Sequence, residues 1–318
     1  MEKKTVQIEL LSPEDLSEDL HRDLFFSSGL PCIRGDKVFF LSGDKVVKCD
    51  NTPDVVDFVY SVIYPEASRL READSESGLY FRLLTGTLGI KDRNLLEHYH
   101  IPLNKPRCVI IFRTSMFLKE PFGRFFSDMA SIEEGDHPVS MDYHSVALIK
   151  NAEKSTEEEI LEYALAVTGS MESEGMTGIK AGIGGTYASP EALHISYIEA
   201  EQSVRTGMRF SAKESVFMYR KQMLERIIDS IPKEKKKEIR NSFFQNQPGG
   251  CLSGELMETV QVFFQNDLNL TAASRQLFIH RNTLNYRLDK IKKIYGLDLR
   301  SFSDAAVFKV LLDIPDEQ

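Results

Sequence analysis

Leu277-Phe-Ile-His-Arg-Asn-Thr-Leu-Asn-Tyr-Arg-Leu288 decides how the C-terminal third of this 318-residue chain is read. Leu284, Leu288, Ile291 and Tyr295 recur at i, i+4, i+7 and i+11, which predicts a helix starting near Arg281 with one narrow apolar stripe. At about 100° per residue, Asn282, Asn285, Tyr286, Asp289, Lys290 and Lys293 fall on the opposite side, with Arg287 beside the stripe. Upstream, Leu256, Val260, Phe263 and Phe264 mark a helix over Glu255–Asn266. A short helix follows, capped by Asn269 or Thr271, with small Ala273 and Ser274 admitting a close neighbour and Leu277 anchoring it. The chain turns at Phe278-Ile279-His280.

Two helices joined by such a turn form a helix-turn-helix, and the outer face of the second combines amide, phenol and ammonium groups. Amides pair with adenine edges, cations neutralise phosphates, and a helix N-terminus attracts a phosphate. The candidate DNA contacts are therefore His280, Arg281, Asn282, Thr283, Asn285, Tyr286, Arg287, Lys290 and Lys293. A solvated polar face and a fold-bracing Arg287 are the competing readings of the same residues. Asp289 would repel phosphate, so it is expected to pair with Lys292 or Lys293. Between Leu270 and Arg300, seven basic residues against Asp289 and Asp298 leave an excess of five positive charges, although the whole chain carries -9.

The string Leu277 to Leu288, continued by Ile291 and Gly296-Leu-Asp-Leu299, resembles the C-terminal helix-turn-helix of the PucR and CdaR regulators of purine and sugar-diacid catabolism. The family's usual Thr-Ala is Ala273-Ser274 here, a change that keeps both side chains small. Leu83-Leu-Thr-Gly86, the strand near Ile110, Ile183-Gly184 and Ser196-Tyr-Ile-Glu-Ala200 are similar to the GGDEF-like middle domain of such regulators. A diguanylate cyclase would show Gly-Gly-Asp/Glu-Glu-Phe before the strand at Val146. This chain has Val139-Ser-Met-Asp-Tyr143, without the glycines or the acidic pair, so the resemblance does not extend to catalysis.

Further upstream, Cys108–Phe112 and Ser145–Ile149 read as buried strands, Ile179–Ile183 as a third, and Phe122–Met129 as a helix. Leu79, Leu83 and Leu84 suggest one helix, and Asn94–His100 another. Ser155-Thr-Glu-Glu158 reads as a capping box opening a helix through Ile160, Leu161, Ala164 and Val167. Pro190–Gly207 is predicted helical, and the alternation gives a layered domain of helices and strands. Lys37–Leu41 and Lys45–Cys49 predict a hairpin turning at Gly43, and Val55–Leu70 a helix. From Lys221 every stripe has helical period, with one helix at Met223–Phe244 ended by Pro248-Gly-Gly250.

Apolar residues make up 42% and charged ones 27%, an ordinary balance that excludes collagenous and disordered classes. The Met1–Asp15 stretch is too broken by Glu9, Pro13 and Glu14 for a signal peptide, and no apolar run reaches membrane-helix length. A cytoplasmic location is expected. Cys32, Cys49, Cys108 and Cys251 have no metal or redox spacing and read as structural thiols. His98 and His100 have no third ligand at motif spacing. Gly182, Gly184 and Gly185 lack a following Lys-Ser/Thr, so a strand-end turn explains them better than a phosphate cradle. Lys233–Lys237 reads as an exposed, charged helix start.

The expected fold is α+β multidomain: a small α+β segment at 1–77, a possible sensor; a degenerate GGDEF-like, ferredoxin-like domain at 78–220; and an all-α linker helix plus helix-turn-helix at 221–318. The expected partners are double-stranded promoter DNA, an unidentified small-molecule effector and a second copy in a homodimer or larger homo-oligomer, without membrane, metal or cofactor. The amphipathic helix with Leu224, Ile227, Ile228 and Ile231 is a candidate relay or oligomer contact. The expected function is transcriptional regulation and not catalysis. A nucleotide-binding or scaffold protein with a partner-binding helical tail is the alternative.

Overall fold

The computed structural model describes residues 8–12, 16–17, 20, 32–34, 36–42, 45–51, 59, 75–89, 92–101, 104–116, 118, 120–245 and 252–314. The predicted turn at Gly43, nearly all of the predicted Val55–Leu70 helix, Pro248-Gly-Gly250 and Cys251 lie outside them. The chain forms two compact units, Met1–Gln222 and Met223–Gln318.

The first unit opens with a four-stranded antiparallel sheet of β1 (Ile8–Leu11), β2 (Cys32–Arg34), β3 (Lys37–Ser42) and β4 (Lys45–Asp50), ordered β1-β4-β3-β2. The predicted hairpin is there, in the register Val38↔Cys49 and Phe40↔Val47. Alternation along β3 sends Val38 and Phe40 to one face, with Val47, Cys49 and Val59, and Phe39 to the other, with Val46.

The larger sheet contains β5 (Arg107–Thr114), β6 (His137–Ser140), β7 (Ser145–Asn151), β8 (Ile179–Ile183) and β9 (Val216–Met218), ordered β6-β7-β5-β8-β9. Only β8 and β9 pair in parallel; every other pairing is antiparallel. The first four strands have the order of a β-α-β-β-α-β ferredoxin-like unit. Around them run α1 (Glu76–Thr85), α2 (Asp92–His98), α3 (Phe122–Met129), α4 (Glu157–Ser173) and α5 (Leu193–Phe210).

Every residue of β5 is buried, because both faces of the sheet are covered. Cys108, Ile110 and Phe112 meet Phe122 and Phe126 of α3 and Ile160, Ala164 and Val167 of α4. Val109 and Ile111 meet Leu79 and Leu83 of α1 and Ala200 and Val204 of α5. Each such Val, Leu, Ile or Phe side chain contributes roughly 1.5–3 kcal/mol on full burial. Arg113 donates to both carboxylate oxygens of Glu201, at 2.8 and 2.9 Å, pinning α5 across the sheet. Both side chains are buried, so removal of either would leave an uncompensated charge.

Local readings shift in three places. The capping box is one residue later than predicted: Thr156 is the cap, with Thr156 Oγ1 accepting from the Glu159 N–H and Glu159 accepting from the Thr156 N–H. Pro190–Ala192 is a 3-10 turn, and α5 begins at Leu193. The glycines in and just after β8 serve close packing and not only a turn. A Cβ on Gly182 would lie 2.2 Å from the Ala200 carbonyl oxygen, and one on Gly184 2.0 Å from that of Ser196. Only a residue without a side chain lets α5 sit on β8.

Among its described residues the second unit is all helical: α6 (Met223–Ser230), α7 (Lys233–Arg240), a π turn at Asn241–Gln245, α8 (Gly254–Gln265), α9 (Leu270–Gln276), α10 (Arg281–Tyr295) and α11 (Phe302–Asp313). The single helix predicted over Met223–Phe244 is broken because Pro232 lacks an N–H and caps α7 instead. The basic run Lys233–Lys237 is partly consumed inside this unit. Lys236 is buried and donates to the Asp229 carbonyl at 3.1 Å, and Lys235 pairs with Glu238. Phe243, Phe244, Tyr295 and Phe308 form an aromatic cluster joining the π turn to α10 and α11. Among the described residues no helix is long and apolar enough to cross a membrane.

Candidate nucleic-acid interface

Helices α8, α9 and α10 pack around Leu256, Val260, Phe263, Ala273, Leu284, Leu288 and Ile291, all buried. Asn269 caps α9, its Oδ1 accepting from the N–H groups of Thr271 and Ala272 at 3.0 and 3.1 Å. Ala273 and Ser274 are buried where α9 meets its neighbours, so their small size is a packing requirement. Leu277, expected as an anchor, is only half-buried. The Asn266 amide donates to Gln276 Oε1 at 2.6 Å, closing the α8–α9 corner through a polar contact the periodicity does not reveal.

His280 caps α10: its Nδ1 accepts from the Asn282 N–H at 3.2 Å. The side chain is therefore occupied in shaping the helix start. Arg281, Asn282 and Thr283 follow in the first turn, all exposed. Leu284, Leu288, Ile291 and Tyr295 face inward, as the spacing predicts. Tyr286, at 69% exposure, together with Lys290 and Lys293, faces solvent, and Asn285 is half-buried. Gly296 ends the helix at φ 76°, its N–H donating to the Lys292 carbonyl.

The ion pairs of this region differ from the expected ones. Asp289 pairs with Arg300 at 2.6 Å and not with Lys292 or Lys293. Lys292 pairs with Asp298 at 3.0 Å. Arg300 also reaches Asp298 through Nε at 2.7 Å, so it holds one carboxylate on α10 and one in the loop after it. Those contacts tie the loop after α10 back onto the helix and are not helical i, i+4 pairs. Arg300, led by its hydrogen bond, and then Lys292 hold the Asp298 carboxyl well below the usual carboxylate range. Arg287 donates to Thr259 Oγ1 at 3.0 Å and lies 2.5 Å from Glu255, which fixes its guanidinium against α8.

The arrangement leaves a helix N-terminus, two amides, a phenol, two ammonium groups and one guanidinium on an accessible face above a buried three-helix core. It can neutralise phosphates and pair with base edges. In the other unit, the hairpin between β6 and β7 carries Asp142. Its carboxylate accepts from the His144 N–H at 2.7 Å and from Ser145 Oγ at 2.5 Å, so it is bound within the turn. His98 ends α2 and His100 follows it at φ 51°; among the described residues no three potential ligands are gathered for a metal.

Residues 256–314 match the PucR C-terminal helix-turn-helix domain, and residues 91–206 match the GGDEF-like domain. The carbohydrate diacid regulator of Escherichia coli (strain K12) is 28% identical over 156 residues, covering 46% of this chain and 38% of that protein. The proline-responsive transcriptional activator PutR of Bacillus subtilis (strain 168) is 32% identical over 136 residues, 40% of this chain and 32% of that one. The purine catabolism regulatory protein of the same organism is 23% identical over 106 residues, 33% of this chain and 20% of that one. The chain thus spans about a third of the first two of these curated relatives and less of the third.

Proposed function

We propose that this chain, which carries a GGDEF-like domain followed by a PucR C-terminal helix-turn-helix domain, is a DNA-binding transcriptional regulator that responds to a small metabolite and controls catabolic genes. The observation that carries the reading is the exposed amide and cation face of α10 above a buried apolar stripe, in the segment matched to that domain. Asn282, Asn285 and Tyr286 read base edges. Arg281, Thr283, Lys290 and Lys293 hold phosphates, and His280 shapes the helix start that meets them. Arg287 keeps α10 at its angle to α8 and acts on DNA through that placement.

One helix-turn-helix covers one half-site, so the regulator works as a homodimer or larger assembly in the cytoplasm. Residues 1–77 serve as a sensor segment, 78–220 as the GGDEF-like domain and 221–318 as linker helix and reading head. The middle domain relays state and performs no cyclase reaction, in line with the missing acidic pair and the engagement of Asp142 within its own turn. Relatives named as regulators and activators support the regulator reading.

The test is an electrophoretic mobility shift of the purified chain on the DNA upstream of its own gene, repeated across salt concentrations. A retarded band that competes with the same duplex and weakens steeply with salt is the expected result. No retardation even at low salt sinks the regulator reading.

A further inference from the structure

Phe278 stands in the turn between α9 and α10 with 95% of its surface exposed, more than any other large apolar residue among those described. Its φ is 54°, in the left-handed region where an aromatic residue is rarely found. The Phe278 N–H donates to the Arg275 carbonyl at 3.1 Å and the Ile279 N–H to the Ser274 carbonyl at 3.0 Å, closing the end of α9. Helices close this way most readily on glycine. The turn therefore needs the backbone of residue 278 and derives nothing from its ring.

The ring lies two residues before the His280 cap, where the exposed face of α10 begins. Arg275, His280 and Arg281 around it in sequence are exposed, so an apolar ring sits amid cationic and polar groups. A polyanion with apolar edges suits that combination better than an uncharged apolar protein surface. We propose that Phe278 is a further DNA contact, laid against an apolar edge of the duplex, a thymine methyl or a deoxyribose face, as the start of α10 enters the groove. Apolar side chains reading thymine methyls are an established form of direct readout. The inference rests on the regulator reading above.

The test measures affinity of the full chain for its footprinted upstream duplex, alongside thermal melting, for wild type, F278G and F278N. Glycine and asparagine both tolerate the left-handed conformation. Expected is a loss of specific affinity of about tenfold in both variants, with the melting temperature unchanged or higher; affinity for an unrelated duplex stays unchanged for a methyl contact and falls alongside for a sugar contact. Replacing thymine by deoxyuridine position by position separates the two sources. A methyl contact appears as a loss with wild type that vanishes in F278G, whereas a sugar contact leaves every deoxyuridine duplex at wild-type affinity. Unchanged specific affinity in F278G and F278N, with wild type still retarding DNA, overturns the proposal and leaves the regulator reading standing. Lower melting temperatures in both variants overturn it by showing that the ring supports the fold. Failure of wild type itself to bind overturns both.

Discussion

Arg287 and Glu255 join α10 to α8: the guanidinium lies 2.5 Å from the carboxylate while also donating to Thr259 Oγ1 at 3.0 Å. Thr259 is buried and Glu255 is largely exposed, so the hydrogen bond is the better shielded of the two contacts. Arg287→Ala should cost about 1 kcal/mol of stability, mostly through loss of the Thr259 contact, since the exposed pair is screened. Chemical denaturation of wild type, Arg287→Ala, Thr259→Val and the double variant measures it. Additive single effects would show that the two residues are not coupled. Affinity for DNA should fall with stability, through tilt of α10.

The contact of β8 with α5 makes a sharper demand. Gly184→Ala places a methyl 2.0 Å from the backbone oxygen of Ser196, which no side-chain rotation can relieve. The expected cost is about 1–3 kcal/mol or more, as for other overpacked cores. A fall in the melting temperature reports it. An alanine variant that melts with wild type would mean that α5 can move away from the sheet freely.

Helix α10 was the most legible part of the chain because periodicity alone sorts Leu284, Leu288 and Ile291 from Asn282, Tyr286 and Lys290, and the solvent exposure agrees with that sorting. The strands at Cys108 and Ser145 were legible for a different reason, as continuous apolar runs covered on both faces. What sequence spacing could not supply was partnership across turns. Asp289 has Lys293 at i+4, yet Arg300, eleven residues on, reaches it because the cap at Gly296 folds the chain back. The capping register at Thr156 was off by one, since Ser155 and Thr156 can both cap and only the downstream fit to Glu159 selects between them. The glycines in and just after β8 looked like a turn signal because the helix they accommodate comes from residues 193 to 210, well beyond the strand.

Acid should loosen the loop that Asp298 holds between α10 and α11. The hydrogen bond from Arg300, aided by Lys292, depresses the Asp298 carboxyl below its unfolded value of 3.8. A group with a depressed folded value contributes stability that is full above the unfolded value and is lost as pH falls through the folded one. Melting of the second unit should therefore be steady near neutrality and decline as pH drops below about 5. Asp298→Asn should remove part of that decline and lower stability at neutral pH. An identical pH profile in the variant would dissociate Asp298 from the acid sensitivity.

The face of α10 makes separable predictions for amides and cations. Asn282 is exposed, its side chain is not part of the buried stripe, and only its backbone N–H is used by the His280 cap. Asn282→Ala should thus leave helicity and melting intact while removing about 1–3 kcal/mol of discrimination at one base position. Lys290→Ala and Lys293→Ala should weaken binding to specific and unrelated duplexes alike, each lowering the salt slope by about one. Arg281→Ala, at the helix start proposed to hold a phosphate, should behave like the lysine variants. Titrations of the four variants on specific and scrambled duplexes at several salt concentrations separate the roles. If Asn282→Ala bound its duplex with wild-type affinity and selectivity, the reading face would have to be moved elsewhere on the helix.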